Sequence, residues 1–310
     1  MKEFKKIALK QKQSLPIEAK IILTQQRIRE WYDHFNGDVY VSFSGGKDST
    51  VLKHLVKNTS GVYNVPSVFI DTGLEYPEIK AFVKSFGDVE IIRPKMDFMQ
   101  VIKKYGYPVI SKEVAHRLAI AKPNNANWEI LKGTYINKNT GELSIYNSPK
   151  YGYLLDAPFK ISDRCCDVMK KLPAKEYAKK TGRKPFIATM ACESRLRKTW
   201  YLETGCNAFN RKNPQSQPMA FWKEQDVLEY IVKNNLKYAD VYGEIKQDEK
   251  GKYYTTGAKR TGCMFCMFGC HLEKEPNRFQ TMKLTHPKLY DYCLNKLGLK
   301  QVLDFIGVKY

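Results

Sequence analysis

The stretch Val39-Tyr40-Val41-Ser42-Phe43-Ser44-Gly45-Gly46-Lys47-Asp48-Ser49-Thr50 constrains the fold more than any other part of the chain. It reads as a buried strand entering a glycine turn that opens a helix at about Lys47. Two adjacent glycines clear side chains from the turn, so an anion can approach the backbone. The helix start aims unpaired N–H groups and the positive end of its dipole at the same place. Lys47 adds a full charge, and Ser44 and Ser49 add hydroxyl donors. The pattern is that of a phosphate cradle. It is not the G-x-x-x-x-G-K-[ST] loop, because Asp48 follows the lysine where that loop needs Ser or Thr. Transfer of a γ-phosphoryl group is therefore not the chemistry it points to.

Composition narrows the class. A chain of 310 residues, 43% hydrophobic, can bury a large α/β domain and an appendage without crosslinks. No segment approaches a membrane-spanning apolar run, and no basic start, apolar run and cleavage site open the sequence. A soluble, cytoplasmic protein with no membrane partner is expected. The net charge of +20 and pI near 9.4 attract polyanions, so nucleic acid is the first macromolecular partner to consider. Eight cysteines in a reducing compartment point to metal or redox chemistry rather than disulfides.

Along the chain, Ile17, Ile21, Ile28, Trp31 and Phe35 share one helical face, Pro16 sits where a helix can begin, and Asn36-Gly37 ends it. Residues 1–36 are thus expected to form an amphipathic helical segment. A second apolar strand, Ser67-Val68-Phe69-Ile70, ends in Asp71-Thr72-Gly73, and Pro77 starts another helix. Strand, helix, strand, helix with apolar strands indicates a doubly wound, mostly parallel sheet whose ligands gather at the carboxyl ends of strands, where Asp71 lies. A short strand over 89–92, helical text over 96–104 and a helix starting near Ser111 follow. Residues 123–158 turn to Asn, Gly, Tyr and Lys around an Asn139-Thr140-Gly141 turn, which reads as a hairpin-like excursion. Helices are expected at 164–181, 193–199 and 222–233, with a strand at 185–189. The nucleotide-binding domain is assigned to 37–235 and a cysteine-rich, C-terminally helical region to 236–310.

The cysteines fall into a pattern. Cys165-Cys166 opens a helix, and Cys263-Met264-Phe265-Cys266-Met267-Phe268-Gly269-Cys270 gives C-x-x-C-x-x-x-C in a loop. C-x-x-C lets two thiolates reach one metal centre from a single turn, and a helix N-terminus lowers thiol pKa values. Spacing alone leaves structural zinc and an iron–sulfur cluster both open. Cys192, Cys206 and Cys293 stand apart, with Cys206 in Thr204-Gly205-Cys206-Asn207 the first to test as a sulfur carrier.

Ser44-Gly45-Gly46-Lys47-Asp48-Ser49 after a hydrophobic strand resembles the PP-loop of the ATP pyrophosphatases. Three further stretches resemble the phosphoadenosine phosphosulfate reductase branch of that superfamily. They are Ile70-Asp71-Thr72-Gly73-Leu74-Glu75-Tyr76-Pro77-Glu78, then Glu193-Ser194-Arg195-Leu196-Arg197, then Pro218-Met219-Ala220-Phe221-Trp222 with Asp226-Val227-Leu228-Glu229-Tyr230-Ile231, where Met219 is a mild departure. The resemblance implies an adenine nucleotide α-hydrolase-like sheet binding ATP and Mg²⁺. It implies nucleotide contacts from Ser42, Phe43, Ser44, Gly45, Gly46, Lys47, Asp48, Ser49, Asp71, Thr72, Gly73, Glu193, Ser194, Arg195 and Arg197, with Lys47, Asp48 and Arg195 nearest the chemistry. A Cys-Cys pair followed much later by C-x-x-C is similar to the [4Fe–4S] pattern of adenylyl-sulfate reductases. It nominates Cys165, Cys166, Cys263 and Cys266, with Cys270 as an extra candidate that competes with Cys165, and zinc as the alternative metal.

Two departures rank the functions. The reductases carry a C-terminal Cys-Gly-Leu-His nucleophile segment, whereas this sequence ends Asp304-Phe305-Ile306-Gly307-Val308-Lys309-Tyr310. They also alter the phosphate loop, which is intact here. The expectation is an AMP-forming ATP pyrophosphatase that adenylates an acceptor for sulfur transfer. It resembles the ATP pyrophosphatase subunit of DNA phosphorothioation systems and, more distantly, cluster-bearing tRNA thiolases. DNA or tRNA is the expected acceptor and a sulfur-donor protein such as a cysteine desulfurase the expected partner. A sulfonucleotide reductase and a non-catalytic nucleotide-binding subunit of a modification or defence complex are the alternatives.

Overall fold

The apolar run beginning at Val39 forms strand β1 (Val39–Ser42), and the glycine turn after it delivers the chain into helix α3 (Lys47–Lys57), in a computed structural model that describes residues 2–310. Upstream, α1 (Lys2–Ser14) and α2 (Ile17–His34) are separate helices. Pro16 supplies the extended residue between them, having no N–H to donate. The chain clusters into two units. The first runs to Asp71 and continues through Glu75–Arg93 and Ala174–Thr261; the second gathers Thr72–Leu74, Pro94–Pro173 and Gly262–Tyr310. Residues 94–173 therefore cluster with the cysteine-rich region, unlike the division at 37–235 and 236–310 expected from sequence.

The first unit is built on a six-stranded sheet. Its members are β1, β2 (Ser67–Ile70), β3 (Val89–Ile92), β4 (Lys184–Phe186), β5 (Asn207–Ala208) and β6 (Gln215–Ser216), in the spatial order β3-β2-β1-β4-β6-β5. Every pairing is parallel except β5 with β6. The strand order reverses at β1, with β2 on one side and β4 on the other, so the turn after β1 lies at the switch point where open α/β sheets bind ligands. Alternate residues of β1 enter two different cores. Val39 and Val41 join a large cluster with Leu52, Leu55, Phe186 and Trp222, while Tyr40 packs against Val68 and Tyr177. Tyr177 comes from α5 (Leu172–Thr181). Burial on both faces is what a parallel strand without polar alternation requires.

Helix α2 buries Lys20, Thr24, Ile28 and Trp31. Lys20 is the anomaly on that face. Its Nζ donates to both oxygens of Asp226 at 2.8 and 2.7 Å and to the Gln13 carbonyl at 3.0 Å, so the buried charge has partners. Asp226 lies in the first turn of α7 (Glu224–Lys233), where it also accepts the Lys223 N–H. The Trp222 indole donates to Thr24 at 2.8 Å. Helix α4 (Pro77–Lys84) starts on Pro77, and α6 (Arg195–Thr204) is capped by Ser194.

In the second unit, helices Phe98–Tyr105, Lys112–Ile120 and Ala126–Lys132 are capped by Asp97, Ser111 and Asn125. The third occupies part of the excursion read as hairpin-like. A single antiparallel bridge, Ile136 to Leu143, forms the hairpin itself. Val109–Ile110 pairs in parallel with Met267–Phe268, tying the cysteine loop to the strand beyond Gly106. Gly106 has φ 111°, and a Cβ there would lie 2.4 Å from the Lys160 carbonyl carbon, so only glycine fits. Helices Arg278–Thr285, Pro287–Asp291 and Leu299–Phe305 follow the cysteine loop. No helix among the described residues is long and apolar enough to cross a membrane.

Candidate functional site

The loop after β1 is held open by its own side chains. The Ser44 N–H donates to Ser49 Oγ at 3.1 Å, the two serine hydroxyls lie 3.0 Å apart, and the Gly46 N–H points to Ser44 Oγ at 3.3 Å. Ser49 and Thr50 hydroxyls donate to the Gly46 carbonyl. Gly45 adopts φ 71°, and a Cβ on it would meet Val83 Cγ2 at 2.7 Å and Ile79 Cγ2 at 2.9 Å. Glycine is required there both for the left-handed turn and for its seat on α4.

Lys47 is buried, and its ammonium is engaged. It donates to the Lys259 carbonyl at 2.7 Å, pairs with Glu224 at 3.0 Å and lies 5.2 Å from the Tyr242 ring centroid. The Lys47 N–H, one of the helix-start amides, donates to the Tyr242 hydroxyl at 3.3 Å, and that hydroxyl bonds Thr261 at 2.6 Å. No contiguous motif marks Tyr242. Its hydroxyl takes the loop amide, and the Lys259 carbonyl takes the ammonium. Asp48 is the complementary feature. Burial pushes its carboxyl up to about 6, with Lys47 opposing and Glu193 and Glu224 reinforcing the rise. Its Oδ1 has no hydrogen-bond partner among the described residues.

The other nominated residues divide. Asp71, buried at the end of β2, is paired with Lys80 at 2.9 Å and reached by Arg93 at 3.6 Å. The Phe43 ring is buried against Phe82 and Phe86. Ser42 ends β1, half-buried. Glu193 accepts the Met190 N–H at 2.7 Å and pairs with Arg197 one turn on. The Arg197 charge is thus engaged by the residue just before its helix's cap. Ser194 is exposed, and Arg195 is exposed beside Cys192 and Lys198 along a cleft that Leu9 and Gln13 complete. Thr72 and Gly73 belong to the second unit, where the Thr72 hydroxyl accepts the Leu74 N–H.

In that second unit, Cys165, Cys166, Cys263 and Cys266 line one small cavity of about 20 Å³ with Leu74, Phe98, Met169 and Phe265 as apolar walls. A hydrogen bond from the Cys165 thiol holds Cys166 below the usual thiol range, helped by Lys112 and Lys170, while Cys165 itself is pushed up. Arg278 donates to the Cys266 carbonyl at 2.7 Å. No group of three or more His, Cys, Asp or Glu among the described residues is arranged to hold a metal ion. Cys270, grouped with the four thiols by spacing, does not line the cavity. It is buried, its thiol donates to the Met267 carbonyl at 3.1 Å, and burial pushes it up to about 11. Cys206 and Cys293 are likewise buried, raised to about 11 and about 12, whereas Cys192 is exposed.

Residues 38–107 match the family described as the phosphoadenosine phosphosulfate reductase domain. Two curated relatives are the uncharacterised proteins MJ0973 and MJ0066 of Methanocaldococcus jannaschii. The first is 26% identical over 292 residues, covering 91% of this chain and 53% of that protein. The second is 24% identical over 277 residues, covering 87% and 43%. The chain thus spans about half the length of the curated relatives it matches. Similar solved structures include a phosphoadenylyl-sulfate reductase from Candida auris in a phosphate complex, with TM-score 0.40, 16% identity, and coverage of 77% of this chain and 98% of that one. They also include the U34-tRNA thiolase NcsA from Methanococcus maripaludis with its [4Fe–4S] cluster, with TM-score 0.34, 13% identity, and coverage of 92% and 80%.

Proposed function

From a phosphoadenosine phosphosulfate reductase domain at residues 38–107, we propose that the first unit is an AMP-forming ATP pyrophosphatase. It adenylates an acceptor for sulfur transfer, and the acceptor class is nucleic acid, DNA or tRNA. The observation that carries this reading is the turn from Ser44 to Ser49, which has no side chains of its own at Gly45 and Gly46, with the buried Lys47 ammonium and the half-buried Asp48 carboxyl beside it and the Tyr242 hydroxyl on its Lys47 amide. An oxygen of the acceptor attacks the α-phosphorus. The bond from that phosphorus to the α,β-bridging oxygen breaks, and pyrophosphate leaves with the electron pair. Lys47 and the loop amides neutralise the charge that develops on it. Asp48, ionised above about pH 6, is a hard oxygen ligand suited to the Mg²⁺ that travels with the triphosphate. The persulfide of a donor protein, such as a cysteine desulfurase, attacks the activated acceptor atom and AMP departs with the acceptor's oxygen; a second thiol then attacks the donor cysteine sulfur, breaking the S–S bond and leaving the outer sulfur on the acceptor.

Cys165, Cys166, Cys263 and Cys266 are the residues that would hold a [4Fe–4S] cluster, and the donor set fits one. Four thiols and no histidine or carboxylate line that cavity, the donor set an iron–sulfur cluster takes from a protein. When bound, the cluster supplies redox-active or sulfur-handling metal chemistry. Lys112 and Lys170 lower the cost of the thiolate charge.

Release of pyrophosphate from labelled ATP in the presence of DNA or tRNA and a persulfide donor tests the reading. Lys47→Ala is expected to lower the rate by about a hundredfold or more. Equal rates in the two proteins, or no release with any nucleic acid tried, count against it. The matched domain makes sulfonucleotide reduction the second reading. Cys206 and Cys293 are too buried to serve as its nucleophile, which leaves Cys192. Thiol-dependent sulfite formation that vanishes in Cys192→Ser would select it.

A further inference from the structure

The second unit carries a groove of about 560 Å³ that the chemistry above does not use. Its lining brings together Lys104, Lys160 and Arg164, all exposed, with the half-buried rings of Tyr105, Trp128 and Phe159. The remaining lining is aliphatic apart from Ser162, and no carboxylate takes part; Asp156 and Asp163 neighbour the lining in sequence without joining it. Cations sit over the rings. The Arg164 guanidinium is 5.8 Å and the Lys104 ammonium 5.3 Å from the Tyr105 centroid, and Lys132 is 5.4 Å from that of Trp128.

We propose that this groove is the docking surface for single-stranded nucleic acid. The inference rests on the nucleic-acid reading above and places that partner on named residues. Ring faces interleaved with ammonium and guanidinium groups are what an unpaired strand needs, since each base offers a π-face for stacking and each phosphate a charge for a cation. A duplex hides its base faces, so the aromatic half of the lining would go unused. A protein segment has no general requirement for a lining without carboxylates, whereas a polyanion does, in a chain whose net charge is +20. Arg164 of the lining is followed in sequence by Cys165 and Cys166, which line the separate thiol cavity.

Fluorescence anisotropy on the full chain, with labelled oligothymidylate or oligouridylate of about a dozen nucleotides, reads this directly. Trp128→Ala is expected to weaken binding about tenfold, with Trp128→Phe restoring most of it. Lys104→Gln combined with Lys160→Gln changes only exposed side chains and should lower the slope of log affinity against log salt by about 1.4. Lys288→Gln, an exposed change elsewhere in the same unit, should leave affinity as it was. The proposal is overturned if the Trp128 and lysine variants bind as the parent does, or if duplex of the same length binds as tightly as the single strand. Lys47→Ala should retain oligonucleotide binding. Intact binding without pyrophosphate release would sink the enzymatic reading alone, and release without groove-dependent binding would sink the groove alone.

Discussion

Asp48 gives a prediction whose sign and size both follow from its position. Its carboxyl rises from an ordinary 3.8 to about 6, chiefly because burial penalises the charge. A folded-state value above the unfolded one means that folding favours the protonated acid. The stability this contributes is complete below pH 3.8 and is lost as pH climbs through about 6. At 1.36 kcal/mol for each pH unit, a rise of this size corresponds to about 3 kcal/mol. Asparagine copies the shape and neutrality of the protonated acid and has no charge to bury. Asp48→Asn should therefore match the parent near pH 4 and exceed its stability by up to about 3 kcal/mol at pH 7, while nucleotide turnover falls. Urea unfolding of both proteins from pH 4 to 7, without nucleotide, measures the gap. A difference that does not grow with pH, or an asparagine variant that is the weaker of the two at pH 7, would refute the reasoning. Adding Mg²⁺ and ATP at pH 7 should narrow the gap, because a cation stabilises only the carboxylate.

Two further outcomes are expected. Lys20→Met leaves the buried Asp226 carboxylate without its ammonium and should cost about 3–5 kcal/mol, seen as a lower urea midpoint for the first unit, whereas removing both charges together should cost less. Under anaerobic purification, Cys263→Ser should lose iron and sulfide while Cys270→Ser retains both, because only the former lines the thiol cavity; equal loss would return Cys270 to the ligand set.

The sheet and its loop are legible in sequence because their signals are local. An apolar run followed by two glycines and a lysine specifies strand, turn and helix within a dozen residues, and Ser111 and Pro77 mark helix starts by chemistry alone. The helix Ala126–Lys132 is hidden by the Asn- and Gly-rich text around it. The same residues that suggest loop are its boundaries, Asn125 as the N-terminal cap and Gly133 as the left-handed stop. Arg278–Thr285 escapes notice in the same way, although Asn277 and Gln280 form its capping box. The candidate site is legible where a motif is contiguous, at Ser44 to Ser49 and in the cysteine pairs. It is not legible at Tyr242 and Lys259, which meet Lys47 across about two hundred residues of chain without a local signal. The burial of Phe43 and the separation of Cys270 from its neighbours are likewise tertiary facts. A side chain's direction out of a loop is decided by what packs around it.

The tyrosine hydroxyl on the loop amide and the peptide oxygen on the ammonium mean that the cradle is occupied by the protein's own oxygens. Any anion entering must compete with tethered substitutes whose effective concentration is high. Orthophosphate, offering few simultaneous contacts, is poorly equipped for that contest. Under the proposed function, a nucleotide anchored elsewhere by its sugar and base would present its phosphates intramolecularly, and the internal oxygens would then disfavour small free anions.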